Sequence, residues 1–238
     1  ALLLDRAVLR RNLARMSARM KRHGVALRPH LKTAKSAQVA ALAIAGEAGG
    51  ITVSTLAEAR YFARNGITDI LYAVGIVPGK LGAVAELRNK GVELKIVLDS
   101  LPVAQAVAAS GQSHAVLIEI DSGAHRAGID AQSLLLLAIA QTLHDAPNVE
   151  LLGAMTHAGH SYHSPDLPTI RRIAREERDA AVAAAQRLRQ AGIPCPVLSA
   201  GSTPTAVHGE DMGGLTEMRP GVYMFNDLDQ LALGSCGP

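Results

Sequence analysis

The sequence predicts an α/β fold, a closed (β/α)8 barrel of the TIM type. Three observations predict it. About eight short apolar strands alternate with helices, and such alternation demands a parallel sheet. The alternation runs through all 238 residues, with no linker, low-complexity tract or internal repeat beyond the βα unit. No G-x-G-x-x-G follows the first strand, which disfavours the alternative, an open doubly wound sheet.

The elements follow in order. Leu9, Leu13, Met16 and Met20 recur at helical spacing, and Gly24 ends that helix. Residues 26–32 read as a strand and 36–48 as an Ala-rich helix ending at Gly49-Gly50. Residues 51–53 form a short strand. Thr55-Leu56-Ala57-Glu58 is a capping box that opens a helix closed by Gly66. The next strands are 69–74, 94–98, 116–120, 149–155 and 197–200, with helices at 78–90, 101–109, 131–143 and 167–191. A short Gly-rich connection leads to the last strand, 216–219. The run Arg171-Arg172 to Arg175-Glu176-Glu177-Arg178 reads as a solvated helix face with i, i+4 pairs.

Composition sets the limits. Hydrophobic residues make up 48% and charged residues 19%, which excludes a disordered chain. No apolar run reaches the ~18–20 residues that span a bilayer, so no membrane association is expected. The start, Ala1-Leu2-Leu3-Leu4-Asp5, is too short for a signal peptide. Cys195 and Cys236 cannot build a disulfide framework, which points to a reducing, cytoplasmic compartment. A net charge of +3 with only six aromatics argues against nucleic acid. The chain opens inside an apolar run without Met and stops at Gly234-Ser235-Cys236-Gly237-Pro238. Residues 1–238 are therefore expected to be one barrel domain cut from a longer protein.

Barrels of this kind carry their chemistry at the C-terminal ends of the strands. Polar, Gly-containing segments cluster there. Lys32 ends the first strand with the parity of Arg28 and His30, and a lysine near a barrel interior is a candidate Schiff-base amine. Lys35 competes but sits where the chain leaves the mouth. Arg126 follows the fifth strand; it either pairs with Asp121 or faces an anionic ligand oxygen. His157, His160 and His163 fit neither the i, i+4 pair of zinc enzymes nor strand parity, so no metal site is expected among them. One ring is expected to meet a ligand, and Tyr162 offers a phenol. Gly201-Ser202-Thr203-Pro204-Thr205 follows the seventh strand, where barrels often hold phosphate; the same residues also form plain turns. Gly221 can join that cradle.

Taken together, these segments resemble the N-terminal barrel of the fold-type III pyridoxal-phosphate enzymes, the alanine racemase superfamily. The nearest likeness is to the D-serine dehydratase and D-threonine aldolase branch. Arg28-Pro29-His30-Leu31-Lys32-Thr33-Ala34-Lys35 resembles its R-P-H-x-K-T-x-K. His157-Ala158-Gly159-His160-Ser161-Tyr162 resembles its H-x-G-H-S-Y, and 201–205 its G-S-T-P-T phosphate loop. Glu217-Met218-Arg219-Pro220-Gly221-Val222-Tyr223 resembles its E-x-R-P-G-x-Y. The resemblance runs from about Leu3 to Gly234.

The resemblance implies roles. Lys32 would hold pyridoxal 5'-phosphate through a Schiff base. Ser202, Thr203, Gly221 and Val222 would hold the phosphate. Tyr162 would face the pyridine nitrogen, with Arg219 a rival for that task. Arg126 would meet the phenolic oxygen and His157 would pack near the ring. The implied activity is a lyase acting on a D-β-hydroxy amino acid, in a homodimer. An amino-acid racemase of the same fold and a non-catalytic pyridoxal-phosphate-binding protein are the alternatives. The branch carries a second, mostly β domain with a His and a Cys or Asp that bind a divalent metal such as zinc. No metal ligand is expected within these residues.

Overall fold

The computed structural model describes residues 3–237. Helix α1 (Arg6–His23) starts where Asp5 accepts from the Ala7 and Val8 N–H groups, and ends at Gly24 with φ 67°. That left-handed cap suits glycine. The predicted stripe of Leu9, Leu13, Met16 and Met20 is its buried face. Then follow β1 (Ala26–Leu27), α2 (Ala37–Ile44), β2 (Ile51–Val53), α3 (Leu56–Arg64), β3 (Asp69–Gly75) and α4 (Leu81–Asn89). The order continues with β4 (Glu93–Leu98), α5 (Leu101–Ala109), β5 (His114–Ile120), α6 (Leu134–His144), β6 (Val149–Thr156) and α7 (Leu167–Gln190). It closes with β7 (Val197–Ala200), α8 (Thr203–His208), β8 (Glu217–Met218) and α9 (Leu228–Ala232).

All eight strands are parallel, in the order β1-β8-β7-β6-β5-β4-β3-β2. The two ends of that order meet at a bridge between His30 and Thr52. There Thr52 N–H donates to Pro29 O and Leu31 N–H to Thr52 O, each at 2.9 Å. The ring is thus the predicted barrel. Strand alternation divides the apolar residues into two sets. Ile70, Tyr72, Ile96, Leu98, Val116 and Ile118 face the helices in the large outer core. Leu71, Val97, Ala115, Leu117, Leu152 and Met155 form a smaller separate cluster inside the barrel. Burying each large aliphatic side chain contributes roughly 1.5–3 kcal/mol.

Several expectations need correction. The first strand does not run to residue 32. Pro29 has no N–H for a ladder, and the chain turns over 31–34 with Lys35 N–H donating to Leu31 O at 2.8 Å. Lys32 therefore sits on a turn, and its parity with Arg28 has no meaning. The connection before the last strand holds α8, whose Ser202–Thr205 capping box and Pro204 start a helix too short to leave a periodic pattern. Finally, the run at 171–178 is not all solvated. Arg172 and Glu176 do pair at i, i+4, but Glu177 is 1% exposed. It shares the face of Ile170, Ile173, Ala174 and Ala181 that the 3.6-residue period turns inward.

The predicted capping box of α3 is also shared differently. Thr55 Oγ1 accepts from Glu58 N–H at 3.0 Å, but Glu58 reaches back to Ser54 N–H at 2.8 Å. The carboxyl also holds Lys35 at 3.4 Å. Among the described residues no helix is long and apolar enough to cross a membrane.

Candidate active site

The C-terminal mouth of the barrel opens into a cavity of about 300 Å³. Lys32, Arg126, His157 and Arg219 all line it, as do His30 and Glu119. Four predicted site residues from four separate segments thus meet in one place.

Lys32 stands at the rim, exposed to solvent on one side and partly desolvated by the cavity wall on the other. That burial, then the positive Arg126 and Arg219, push its pKa down, while Glu58 pulls the other way. A larger fraction of neutral amine at a given pH is what a nucleophile or base needs. His30 is pushed well below the usual imidazole range by burial, then by Lys32, Arg219 and His157. The Lys32 N–H lies 3.4 Å from His30 Nδ1.

His157 is held to about 4 by burial, against the help of Gly201, with Arg219, Lys32 and Arg126 adding to the depression. Its ring is therefore neutral near pH 7, with Nδ1 3.0 Å from Gly201 O. The carbonyl only accepts, so Nδ1 carries the proton and Nε2 is left as an acceptor. Arg126 lies in the loop 121–128. Asp121 does not pair with it. The carboxylate instead accepts from Gly123 N–H at 2.9 Å, His125 N–H at 3.0 Å and the His125 ring at 2.7 Å. Among the described residues Arg126 makes no ion pair. Gly128 lets this loop close on the strand: a Cβ there would sit 2.5 Å from Asp121 N.

Beneath the cavity an ionic chain crosses the barrel. Arg28 Nη1 meets Asp69 at 2.8 Å and its Nε meets Glu217 at 2.7 Å. Glu217 accepts from Ser199 Oγ at 2.6 Å. The Ser199 hydroxyl in turn accepts from Arg219, which also donates to Thr156 O. Burial alone works against the charge on Arg28, but Glu217 and Asp69 more than offset it and hold its pKa above the ordinary value. Arg219 is pushed down by burial, and Glu217, Glu177 and Glu119 oppose the shift.

Beside the cavity lies a set of donors. Ser202 caps α8 and its hydroxyl lies 2.7 Å from that of Ser161. Tyr223 N–H donates to Thr203 Oγ1 at 3.2 Å, which joins the start of α8 to the turn Val222–Met224. Among the described residues the Gly221 and Val222 N–H groups donate to no protein acceptor. Two free N–H groups and the Thr203 hydroxyl on adjoining turns form a donor set that suits a phosphate. Gly221 is needed for this approach, since a Cβ there would come within 2.7 Å of His30 O. Together with the amine of Lys32, these residues fit pyridoxal 5'-phosphate.

Tyr162 lies on the side of the donor set. Its hydroxyl accepts from Thr203 N–H at 3.1 Å, at the donor set, and it does not line the cavity. Burial pushes its phenol up. Arg219, the rival for the pyridine nitrogen, does line the cavity. His160, His163 and Lys35 lie outside it. Sequence reasoning missed Glu119, which is 6% exposed and pushed up by burial while Arg219 and Arg126 oppose the shift. A glutamate within the otherwise apolar strand HAVLIEI was the available signal. Among the described residues no three His, Cys, Asp or Glu side chains come together to hold a metal. The resemblance implies the divalent metal's ligands in a second domain and not among these residues.

The family described as alanine racemase, N-terminal domain, matches residues 4–229. The D-threo-3-hydroxyaspartate dehydratase of Delftia sp. (strain HT23) is 48% identical over 241 residues, covering 99% of this chain and 63% of the relative. Its solved structure superposes with a TM-score of 0.95 over 98% of this chain and 63% of that one, and one solved variant is in a metal-free form. The D-threonine aldolase of Arthrobacter sp is 33% identical over 243 residues, covering 100% of this chain and 64% of the relative. The chain thus spans a little under two thirds of the length of these relatives.

Proposed function

This chain belongs to the family of the alanine racemase N-terminal domain, and from that membership we propose that it is the cofactor-holding barrel of a pyridoxal-phosphate-dependent lyase acting on a D-β-hydroxy amino acid. The observation that carries the reading is the meeting of a lysine of lowered pKa with Arg126, His157 and Arg219 in one cavity, beside a set of N–H and hydroxyl donors that suits a phosphate. The 48% relative makes a 3-hydroxyaspartate the first substrate to try, ahead of D-threonine and D-serine.

When bound, pyridoxal phosphate supplies an electron sink for the pair left on the substrate's Cα. The chain's own residues do the rest. Lys32 carries the cofactor and, as free amine, takes the Cα proton in a dehydration. Gly221, Val222, Ser202 and Thr203 hold the phosphate, and Tyr162 braces Thr203 from the other side. Arg219, fixed by Ser199 and Thr156 O, presents a cation to the pyridine nitrogen. Arg126 is the free cation for the phenolic oxygen, and neutral His157 packs near the ring. In an aldol cleavage the proton leaves the β-hydroxyl instead, and the same barrel serves both outcomes. The protein is read as a homodimer of the cytoplasm, which its two free cysteines suit.

The test is a product assay on the purified full-length protein that contains this barrel, with the D-threo-3-hydroxyaspartate, D-threonine and D-serine substrates. A keto acid with ammonia marks the dehydratase, and glycine with an aldehyde marks the aldolase. Conversion to the L-amino acid instead would overturn the reading in favour of a racemase. Cofactor binding with no product from any of the three would leave only a binding protein.

A further inference from the structure

Glu177 is a carboxyl inside the protein, 1% exposed, on a helix whose other acids reach solvent. Such a group is expensive to bury without partners. Its partners are backbone groups of two different loops: Ala158 N–H at 2.7 Å and Gly201 N–H at 3.1 Å. Both loops carry site residues. Ala158 follows His157, and Gly201 precedes Ser202 and Thr203. The Gly201 peptide is held from both sides, because its carbonyl accepts from the His157 ring at 3.0 Å. Gly201 has φ +114°, a conformation that a side chain would resist. A Cβ there would also lie 3.0 Å from Met218 Cε and 3.1 Å from Arg219 N. The loop is tied to Arg219, whose N–H donates to the Ala200 carbonyl at 2.8 Å.

We propose that Glu177 is a positioning residue that ties the His157 loop to the phosphate loop 201–205. It touches neither cofactor nor substrate. It fixes the distance between the group that meets the ring and the groups that meet the phosphate. The proposal rests on the reading of 201–205 as the phosphate site.

The experiment compares two probes on wild type and Glu177→Met: pyridoxal 5'-phosphate and pyridoxal, which lacks the phosphate. Each is titrated by absorbance, with thermal unfolding measured alongside. Both N–H groups share the one oxygen Oε1, so methionine keeps the length of the side chain but removes the acceptor that joins the two loops. The expected result is about tenfold weaker binding of pyridoxal phosphate, roughly 1.4 kcal/mol, with pyridoxal affinity changed less than about twofold. Equal loss on both probes, or no loss on either, overturns the proposal. Glu177→Asp, whose shorter side chain draws the shared oxygen back, reads the same ratio should the methionine variant fail to fold. Failure of the parent reading looks different: wild type itself would then show no preference for the phosphorylated probe.

Discussion

His157 donates from Nδ1 to the carbonyl oxygen of Gly201 at 3.0 Å, so the imidazole and the start of the loop 201–205 form one unit. Burial holds that ring near pKa 4 against an ordinary 6.5. The unfolded chain takes up the proton first as pH falls. The contribution of His157 to stability is therefore whole above 6.5 and is lost as pH falls toward 4. Urea unfolding of wild type and His157→Gln between pH 7 and pH 4 should converge at the acid end. A constant gap across that range would contradict this.

Arg126 lowers the pKa of Lys32 through its charge, with Arg219 acting in the same direction. In Arg126→Ala the Lys32 amine should therefore titrate at higher pH. The pH midpoint for loading pyridoxal phosphate should move up with it, followed by absorbance. A midpoint that stays or falls would remove Arg126 from the electrostatics of the site.

Glu217 stands between two buried guanidinium systems, bonded to Arg28 directly and to Arg219 through Ser199. Glu217→Ala should cost about 3–5 kcal/mol in urea unfolding, because it leaves buried positive charge uncompensated. A loss under about 1 kcal/mol would mean that the ionic chain relaxes without it.

Gly221→Ala should push the added carbon against His30 O, which lies only 2.7 Å away. Overpacking of this kind costs about 1–3 kcal/mol. Because the shift propagates to the turn that carries Lys32, uptake of pyridoxal phosphate should weaken as well. Wild-type melting together with wild-type uptake would contradict the close approach.

The barrel was legible because its signals are periodic or positional. Leu9 to Met20 at helical spacing, Gly24 and Gly66 beyond helix ends, and Thr55 as a cap all have local causes. Lys32, Arg126, His157 and Arg219 were legible as polar residues just after apolar strands, which a closed barrel brings together. Glu177 was not, because its neighbours in sequence are solvated and only the helix's rotation turns it inward. The end of the first strand had a local signal in Pro29, which has no N–H for a ladder, but the turn over 31–34 left none in the residue types that follow. The partner of Tyr162 was invisible because Thr203 is 41 residues away.

The central claim is that Lys32 is the amine that carries the cofactor. Loading the protein with pyridoxal phosphate, reducing with borohydride and mapping the labelled peptide by mass spectrometry tests it most directly. The account predicts a pyridoxyl group on Lys32, and no stoichiometric label after Lys32→Ala. A stoichiometric label on Lys35, or on any other lysine of the wild-type protein, would contradict it.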